Sequence, residues 1–361
     1  MIRFAWVQAR TQTAVAAAAL AAAAILTAIT GPRLLHFYNT VVATCGSRND
    51  CASVDTAFLS SYRLMQAALP PVLLVLPALI GAFWGAPLVA RELETGTFRL
   101  AWTQSVTRQR WLAVKLTLVG FASMAVAGLL SLILTWWFSP IDRVQMNQLT
   151  PAMFGVRGVT PIGYAAFAFA LGVAAGVFIR RTLPAMAAII VVFTGFRFAF
   201  SLWVRPHLIA PLRVTSALVM PTGSGPVPPL GAGAVKPGDL VVSDQTINAA
   251  GRVIGANGGV GPNGEIGIRV THGRPSLVGV GACPNKFPPL GGGLRGSGAQ
   301  PPADFNAALQ ECINRLGVRN VITYQPLSRY WLLQWDETLI FTGLAIVLVG
   351  ICFWQVRRRL T

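Results

Sequence analysis

The chain has 361 residues, and its composition is that of a membrane protein. Hydrophobic residues make up 54% and charged residues only 11%, whereas soluble domains carry about 25% charged residues. A formal net charge of +17 would suit a nucleic-acid partner, but such a site needs basic residues clustered on a soluble fold. Here the arginines stand at the ends of apolar runs, where they orient membrane helices. We therefore expect membrane lipids and no nucleic acid as partners.

Six apolar stretches approach or exceed the length of about 20 residues that a membrane-crossing helix needs. The predicted spans are 13–30, 67–90, 112–138, 162–179, 183–204 and 337–354. The first also resembles a signal peptide, although its apolar run is long for one. The second is predicted to bend because it contains four prolines, Pro70, Pro71, Pro77 and Pro87. The short link between the fourth and fifth predicts a tight hairpin.

Basic residues predict the orientation of these spans. If both termini are cytoplasmic, the short cytoplasmic segments hold 12 basic residues and only two acidic ones, Glu92 and Glu94. The outer segments hold 16 basic and 10 acidic residues over far more chain. Since short loops rich in Arg and Lys stay inside, we expect both termini in the cytoplasm. Abundant Ala and Arg with three lysines indicate a bacterial, high-GC source, and hence a multi-pass protein of the bacterial cytoplasmic membrane.

Four of the five cysteines fall in the predicted outer segments. An oxidising exterior favours disulfides, so we predict two bridges, Cys45–Cys51 and Cys283–Cys312. The alternative is that these four are free, buried thiols. The fifth cysteine, Cys352, lies within the last predicted span.

The segment 205–330 between spans five and six is rich in glycine and proline, which indicates turns and loops. Strands are predicted at 240–242, 265–270 and 320–324, and a helix at 303–316. None of its glycine-rich runs leads into a Gly-Lys-Ser or Gly-Lys-Thr phosphate loop. The predicted fold is an all-α polytopic membrane protein with a small α+β extracytoplasmic cap. Its domains are 1–204 with spans one to five, the cap at 205–330, and 331–361 with span six and a basic tail.

Catalytic chemistry has little support in the sequence. The three histidines, His36, His207 and His272, are far apart, and no metal-spaced cluster or Gly-x-Ser-x-Gly elbow occurs. We therefore predict a non-enzymatic chain with no catalytic residue, no metal and no cofactor of its own.

Ion-coupled carriage is also poorly supported, because it needs ionisable groups within the membrane. The predicted spans contain no interior Asp or Glu, and their one charge is Arg197. Arg197 could extend to the outer headgroups. Alternatively it pairs with Asp336 or Glu337, which would fix span five to span six or line a polar pathway.

The stretch 88–111 between spans two and three mixes apolar residues with charges, as interfacial amphipathic helices do. Gly96 is suited to ending a helix and Thr97 to beginning the next. Glu92 and Glu94 are either intrahelical partners of neighbouring arginines, Arg91 and Arg99, or contacts for another protein.

The pattern Glu92-x-x-x-Gly96-Thr97, with Ser105-Val106-Thr107-Arg108 and then Lys115, resembles the membrane subunits of type-2 ATP-binding-cassette (ABC) exporters, especially those of high-GC Gram-positive bacteria. The resemblance implies that Glu92, Glu94, Gly96, Thr97 and Arg108 belong to the region that couples to a separate ATPase. Six spans with both termini inside also match this family, although the outer segment is longer than many members have.

The resemblance further implies a division of labour between subunits. The chain has no Walker A run, so ATP and magnesium would be bound by the partner ATPase. Two copies of this chain would enclose a pathway lined by spans two and five. The expected cargo is amphipathic or hydrophobic, such as a drug, a lipid or a peptide. The alternative function is a non-transporting sensor whose outer cap binds a ligand.

Overall fold

The computed structural model describes residues 2–45, 51–96, 107–217, 235–256, 268–271, 274–277, 281–282 and 310–359. The chain divides into two compact units, one formed by Met1–Leu208 with Arg329–Thr361 and the other by Ile209–Ser328. Among the described residues, six helices are long and apolar enough to cross a membrane, which confirms the predicted polytopic fold. These helices, called spans 1 to 6, are Thr13–Val42, Arg63–Thr95, Gln109–Gln145, Thr160–Ile179, Thr182–His207 and Leu327–Arg358.

Most spans combine more than one kind of helical turn. The long α-helices are Ile2–Phe37, Arg63–Ile80, Ala86–Thr95, Arg108–Gln145, Thr160–Ile179, Thr182–Ala199 and Tyr330–Arg359. Single π-helical turns occur in spans 1, 2 and 5, at Tyr38–Val42, Gly81–Gly85 and Phe200–Val204. Short 3₁₀ turns are Arg205–His207 and Leu327–Arg329, and short α-helices outside the spans are Cys51–Ser61 and Pro151–Phe154.

Several spans extend beyond their predicted ends, and in three of them a buried acid lies in the added part or at its border. Span 2 continues to Thr95, span 3 to Gln145, and span 6 begins at Leu327 rather than at Glu337. Glu92 and Asp142 lie in the added parts, and Glu337 borders the part added to span 6; all three are buried in ion pairs. The predicted ends were wrong because these charges were taken as signs of a span boundary, whereas pairing lets a charge enter a helix bundle.

The region predicted as an interfacial helix is likewise corrected in its first part. Residues 88–95 are the last turns of span 2, and Val89 and Ala90 in them are fully buried. The predicted hairpin is confirmed, since span 4 ends at Ile179 and span 5 begins at Thr182.

Span 4 is the central helix of the first unit. Of its 20 residues 15 are buried, and glycines let neighbouring backbones come close to it. A Cβ added to Gly172 would lie 2.3 Å from the carbonyl oxygen of Gly81, and one added to Gly85 would lie 2.6 Å from that of Phe169. Spans 2 and 4 therefore pack backbone against backbone, the arrangement that small residues permit between membrane helices.

Span 1 is anchored to span 3 and to the short helix Cys51–Ser61, which follows span 1 in the chain. Leu34 and Phe58 pack with Trp137 in one buried cluster, and the Trp137 indole donates to the Thr30 hydroxyl at 2.8 Å. The predicted Cys45–Cys51 disulfide is present. Cys312 is disulfide-bonded, and Cys283, its predicted partner, lies outside the described residues.

The second unit contains two antiparallel sheets. Its strands are β1 Leu212–Ala217, β2 Leu240–Ile247, β3 Val253–Ala256, β4 Ile268–Thr271, β5 Arg274–Leu277, β6 Gly281–Ala282 and β7 Arg319–Gln325. The four-stranded sheet has the order β1-β7-β2-β3, and the three-stranded one β4-β5-β6. The three predicted strands correspond to β2, β4 and β7. Of the predicted helix at 303–316, residues 310–315 are helical and 303–309 lie outside the described part.

Candidate functional site

The connection between spans 2 and 3 is bounded by well-defined helix ends. The helix Ala86–Thr95 stops at Gly96, whose φ of 73° is left-handed and therefore suits glycine. The next helix begins after Thr107, whose side chain accepts a hydrogen bond from the backbone N–H of Arg110 at 3.3 Å. Gly96 thus ends a helix as predicted. Thr97 and the side chain of Arg108 lie outside the described residues.

Glu92 and Lys115 form an ion pair at the base of this connection. Glu92 is 7% exposed and Lys115 4%, so both charges are shielded from water. The ammonium group also lies 4.7 Å from the centre of the buried Trp111 ring. Because a buried charge needs a partner, the pair joins span 2 firmly to span 3.

Glu94 connects the same helix to span 5. Its carboxylate accepts hydrogen bonds from the backbone N–H of Thr182 at 3.0 Å and from the Thr182 hydroxyl at 2.8 Å. Thr182 is the first residue of the helix Thr182–Ala199. A carboxylate at a helix N-terminus satisfies a free N–H and interacts favourably with the helix dipole. Glu94 therefore caps span 5 from outside.

These contacts join each acid to a neighbouring helix, a role that the sequence analysis did not consider. Glu92 and Glu94 lie two residues apart, yet they reach two different neighbouring helices, through Lys115 and Thr182. Arg99, one of the arginines considered as a partner, lies outside the described residues. The only sequence signal for Lys115 was its place in the family pattern, and Thr182 had none.

A second polar cluster surrounds Glu337, which is completely buried in span 6. Arg205 of span 5 forms a bidentate pair with it, with Nε 2.7 Å from Oε2 and Nη2 2.9 Å from Oε1. The Tyr164 hydroxyl of span 4 donates to Oε1 and accepts from Arg205 Nη2 at 3.1 Å. Three spans therefore converge on one carboxylate. Arg205 was not expected at this site, because the apolar pattern ends the predicted fifth span at residue 204.

Arg197 has different partners from those predicted. It is 7% exposed, and it donates to the backbone oxygens of Leu74 at 2.5 Å and Gly155 at 3.0 Å. Its guanidinium carbon lies 4.3 Å from the centre of the Tyr164 ring. Its side chain is thus held inside the unit, and the ion pair of Glu337 is with Arg205.

A third buried pair, Arg157–Asp142, was also missed. Asp142 lies in the extended part of span 3, and Arg157 follows the short helix Pro151–Phe154. The guanidinium carbon of Arg157 lies 4.1 Å from the centre of the Phe138 ring. This pair fixes the connection between spans 3 and 4.

A cavity of about 240 Å³ lies beside Arg197, between spans 2 and 5. It is lined mostly by apolar side chains, together with Thr194, Arg197 and Ser201. Within the described residues no group of three or more metal-ligating side chains occurs.

The six spans, with buried ion pairs joining span 2 to span 3 and span 5 to span 6, define a multi-pass membrane protein. Residues 17–205, more than half of the chain, match the family described as ABC-2 membrane transporter related, so the chain belongs to this family. The match covers most of span 1 and nearly all of spans 2 to 5, and it confirms the resemblance seen in the sequence: the chain is a membrane permease subunit of the ABC-2 type. No curated protein and no solved structure matches the chain.

Proposed function

We propose that this permease forms the translocation pathway of an ATP-driven exporter and is driven by a separate ABC ATPase. The observation that supports this most strongly is the pair of contacts made by Glu92 and Glu94. They attach the end of span 2 to spans 3 and 5 through Lys115 and Thr182. A force applied at the connection between spans 2 and 3 would therefore reach three spans together.

The sidedness follows from the distribution of charge. Both termini and the connection between spans 2 and 3 would lie in the cytoplasm, because the short segments on that side are strongly basic. The ATPase would bind ATP and magnesium and dock on the connection that begins at Gly96. A second copy of the chain would complete the pathway in the bacterial cytoplasmic membrane, with spans 2 and 5 facing it. The cargo would be amphipathic or hydrophobic.

The same contacts suggest how movement could pass through the membrane. Span 2 packs tightly on span 4 along Gly81, Gly85 and Gly172, and the π-helical turn Gly81–Gly85 interrupts its α-helical geometry at this contact. Such turns are common at functional sites and at helix bends. Closure of the ATPase would thus tilt the lower part of span 2 together with spans 3 and 5. This would switch the pathway between two packed arrangements.

Two substitutions at Gly96 test the docking site. At a φ of 73° leucine is strained, whereas asparagine tolerates the left-handed conformation. The added Cβ meets nothing within 4 Å in either case. Tagged protein purified from its own host in mild detergent should bring an ABC ATPase with the wild type and with Gly96→Asn. Much less ATPase should accompany Gly96→Leu.

The same purification separates this function from the alternative. Recovery of a kinase or another signalling protein, with no ATPase on any of the three chains, would favour a membrane sensor. If an ATPase is recovered equally with all three chains, a permease is supported but the docking site lies elsewhere.

A further inference from the structure

The cavity between spans 2 and 5 carries its polar groups on one side only. Thr194, Arg197 and Ser201 all line it, and their spacing of three and four residues places them on one face of span 5. The rest of the lining includes Leu74, Val75, Phe193, Phe198 and Leu202. One wall therefore offers hydroxyl groups and a guanidinium, and the others offer hydrocarbon.

The buried side chains on and behind the polar wall carry an excess of positive charge. Arg197 and Arg205 are both buried, and the carboxylate near them is that of Glu337. Both oxygens of Glu337 are already used by Arg205 and Tyr164. Within the described part of the chain no ion pair includes Arg197. Its guanidinium donates to two backbone carbonyls and lies against the ring of Tyr164.

An uncompensated guanidinium in a membrane protein is costly, and such groups usually mark a ligand site or an ion pathway. The carbonyl oxygens of Leu74 and Gly155 hold the side chain in place, but they neutralise the charge only in part. Two of its five N–H groups donate to them. A negatively charged ligand group in the cavity would supply the missing counter-charge.

We propose that this cavity binds a single-chain amphiphile with one negative charge, its headgroup on Arg197 and its hydrocarbon against spans 2 and 5. The proposal rests on the transport function proposed above, because it names the class of cargo. The volume of about 240 Å³ is below the roughly 300–1,000 Å³ usual for drug-sized ligands. That size suits part of one chain rather than a bulky ring system or a two-chain lipid.

The mouth of the cavity is apolar and open to the surface of the first unit. Val75, Phe198 and Leu202 are 51%, 61% and 54% exposed. In the proposed dimer this mouth opens into the pathway that spans 2 and 5 line, so a hydrocarbon chain would enter the cavity from that pathway. Thr194 adds a hydroxyl group that can donate to a carboxylate, and Ser201 can do so if it exchanges its 3.2 Å bond to the Phe198 carbonyl.

The test uses hexadecanoate carrying a diazirine, bound to the full chain in phosphatidylcholine nanodiscs and mapped by peptide mass spectrometry. Labelling should centre on 194–202 and saturate. Unlabelled hexadecanoate should compete at about tenfold lower concentration than hexadecanol, the difference expected for one charge-assisted contact. Hexadecyltrimethylammonium should not compete. Equal competition by the acid and the alcohol would overturn the proposal, as would displacement by phosphatidylglycerol at a lower concentration than the acid.

Two variants locate the site independently. Ala152 lines the cavity, and Ala152→Trp should fill it and lower labelling about tenfold. Val191→Trp is the matched control, since Val191 is 71% exposed and does not line the cavity. Arg197→Gln should remove the preference for the acid over the alcohol. Should Arg197→Gln not fold, Ala152→Trp decides, and undiminished labelling of that variant contradicts the proposal.

Because labelling needs no ATPase, its result is separable from that of the proposed function. Acid-selective labelling without any associated ATPase would keep the binding site and remove the exporter. An ATPase complex without acid-selective labelling would keep the exporter and remove this class of cargo.

Discussion

Arg205 and Glu337 lie 132 residues apart in the sequence and form a bidentate ion pair between spans 5 and 6, with N–O distances of 2.7 and 2.9 Å. Both side chains are at most 2% exposed. Arg205 lies just before the chain leaves the first unit, and Glu337 lies shortly after the chain returns to it. The pair therefore joins the two ends of the first unit's chain segments.

This pair predicts a charge-exchange experiment. Arg205→Glu or Glu337→Arg alone leaves two like charges buried together, and each should cost about 3–5 kcal/mol or more of stability. The double exchange should recover part of that loss, seen as a higher apparent Tm in detergent than either single variant. Exchanging the exposed pair Arg315–Glu311 should cost at most about 1 kcal/mol. No recovery in the double variant would mean that the pair is not a stabilising contact.

The contact between spans 2 and 4 predicts opposite effects for two similar substitutions. Gly172→Ala places a methyl group 2.3 Å from the Gly81 oxygen, which forces the backbones apart and should cost about 1–3 kcal/mol. Gly195→Ala in span 5 meets nothing within 4 Å and should stabilise the helix by up to about 1 kcal/mol. Thermal stability measured by size-exclusion chromatography compares the two. Equal effects would show that spans 2 and 4 are not packed this closely.

Local sequence features predicted the spans well, because length, apolarity and helix-ending residues are properties of neighbouring residues. Six spans, the hairpin before Thr182 and the helix end at Gly96 all follow from such patterns. The Cys45–Cys51 bridge could also be predicted from the sequence, since its two cysteines are separated by only six positions.

The polar contacts were harder to predict because their partners are distant in sequence. Nothing near Glu337 indicates that Arg205 will be its partner, and Arg197 is a plausible competitor until the helices are packed. Strand β1 was missed for a similar reason, since Leu212–Ala217 pairs with β7, which follows about a hundred residues later. Identity of residues fixes what can pair, but packing decides which pairs form.

The cap that Glu94 places on Thr182 predicts a loss of coupling. If this contact transmits movement from span 2 to span 5, Glu94→Gln and Thr182→Val should lower the amount of cargo moved per ATP hydrolysed, while ATP hydrolysis and ATPase binding persist. Thr182→Ser keeps the hydroxyl group and serves as the control. Reconstituted vesicles with both subunits allow the ratio to be measured directly. Unchanged ratios in both variants would show that the contact only stabilises the fold.

Asp244 in β2 predicts that the stability of the second unit depends on pH. Burial raises the pKa of its carboxyl group above the ordinary 3.8, and its Oδ1 is buried without a hydrogen-bond partner in the described structure. The folded state holds the proton more tightly than the unfolded state does, so the protonated carboxyl group favours folding. Its contribution to stability is complete below pH 3.8. That contribution is lost as the pH rises through the higher folded pKa.

Asp244→Asn cannot ionise and should remove the dependence. Hydrogen exchange in Leu240–Ile247 of the full chain, compared with Asp244→Asn at each pH between about 4 and 7, measures it. Wild-type exchange should become relatively faster toward pH 7, and a constant ratio across this range would contradict the burial of an ionisable Asp244.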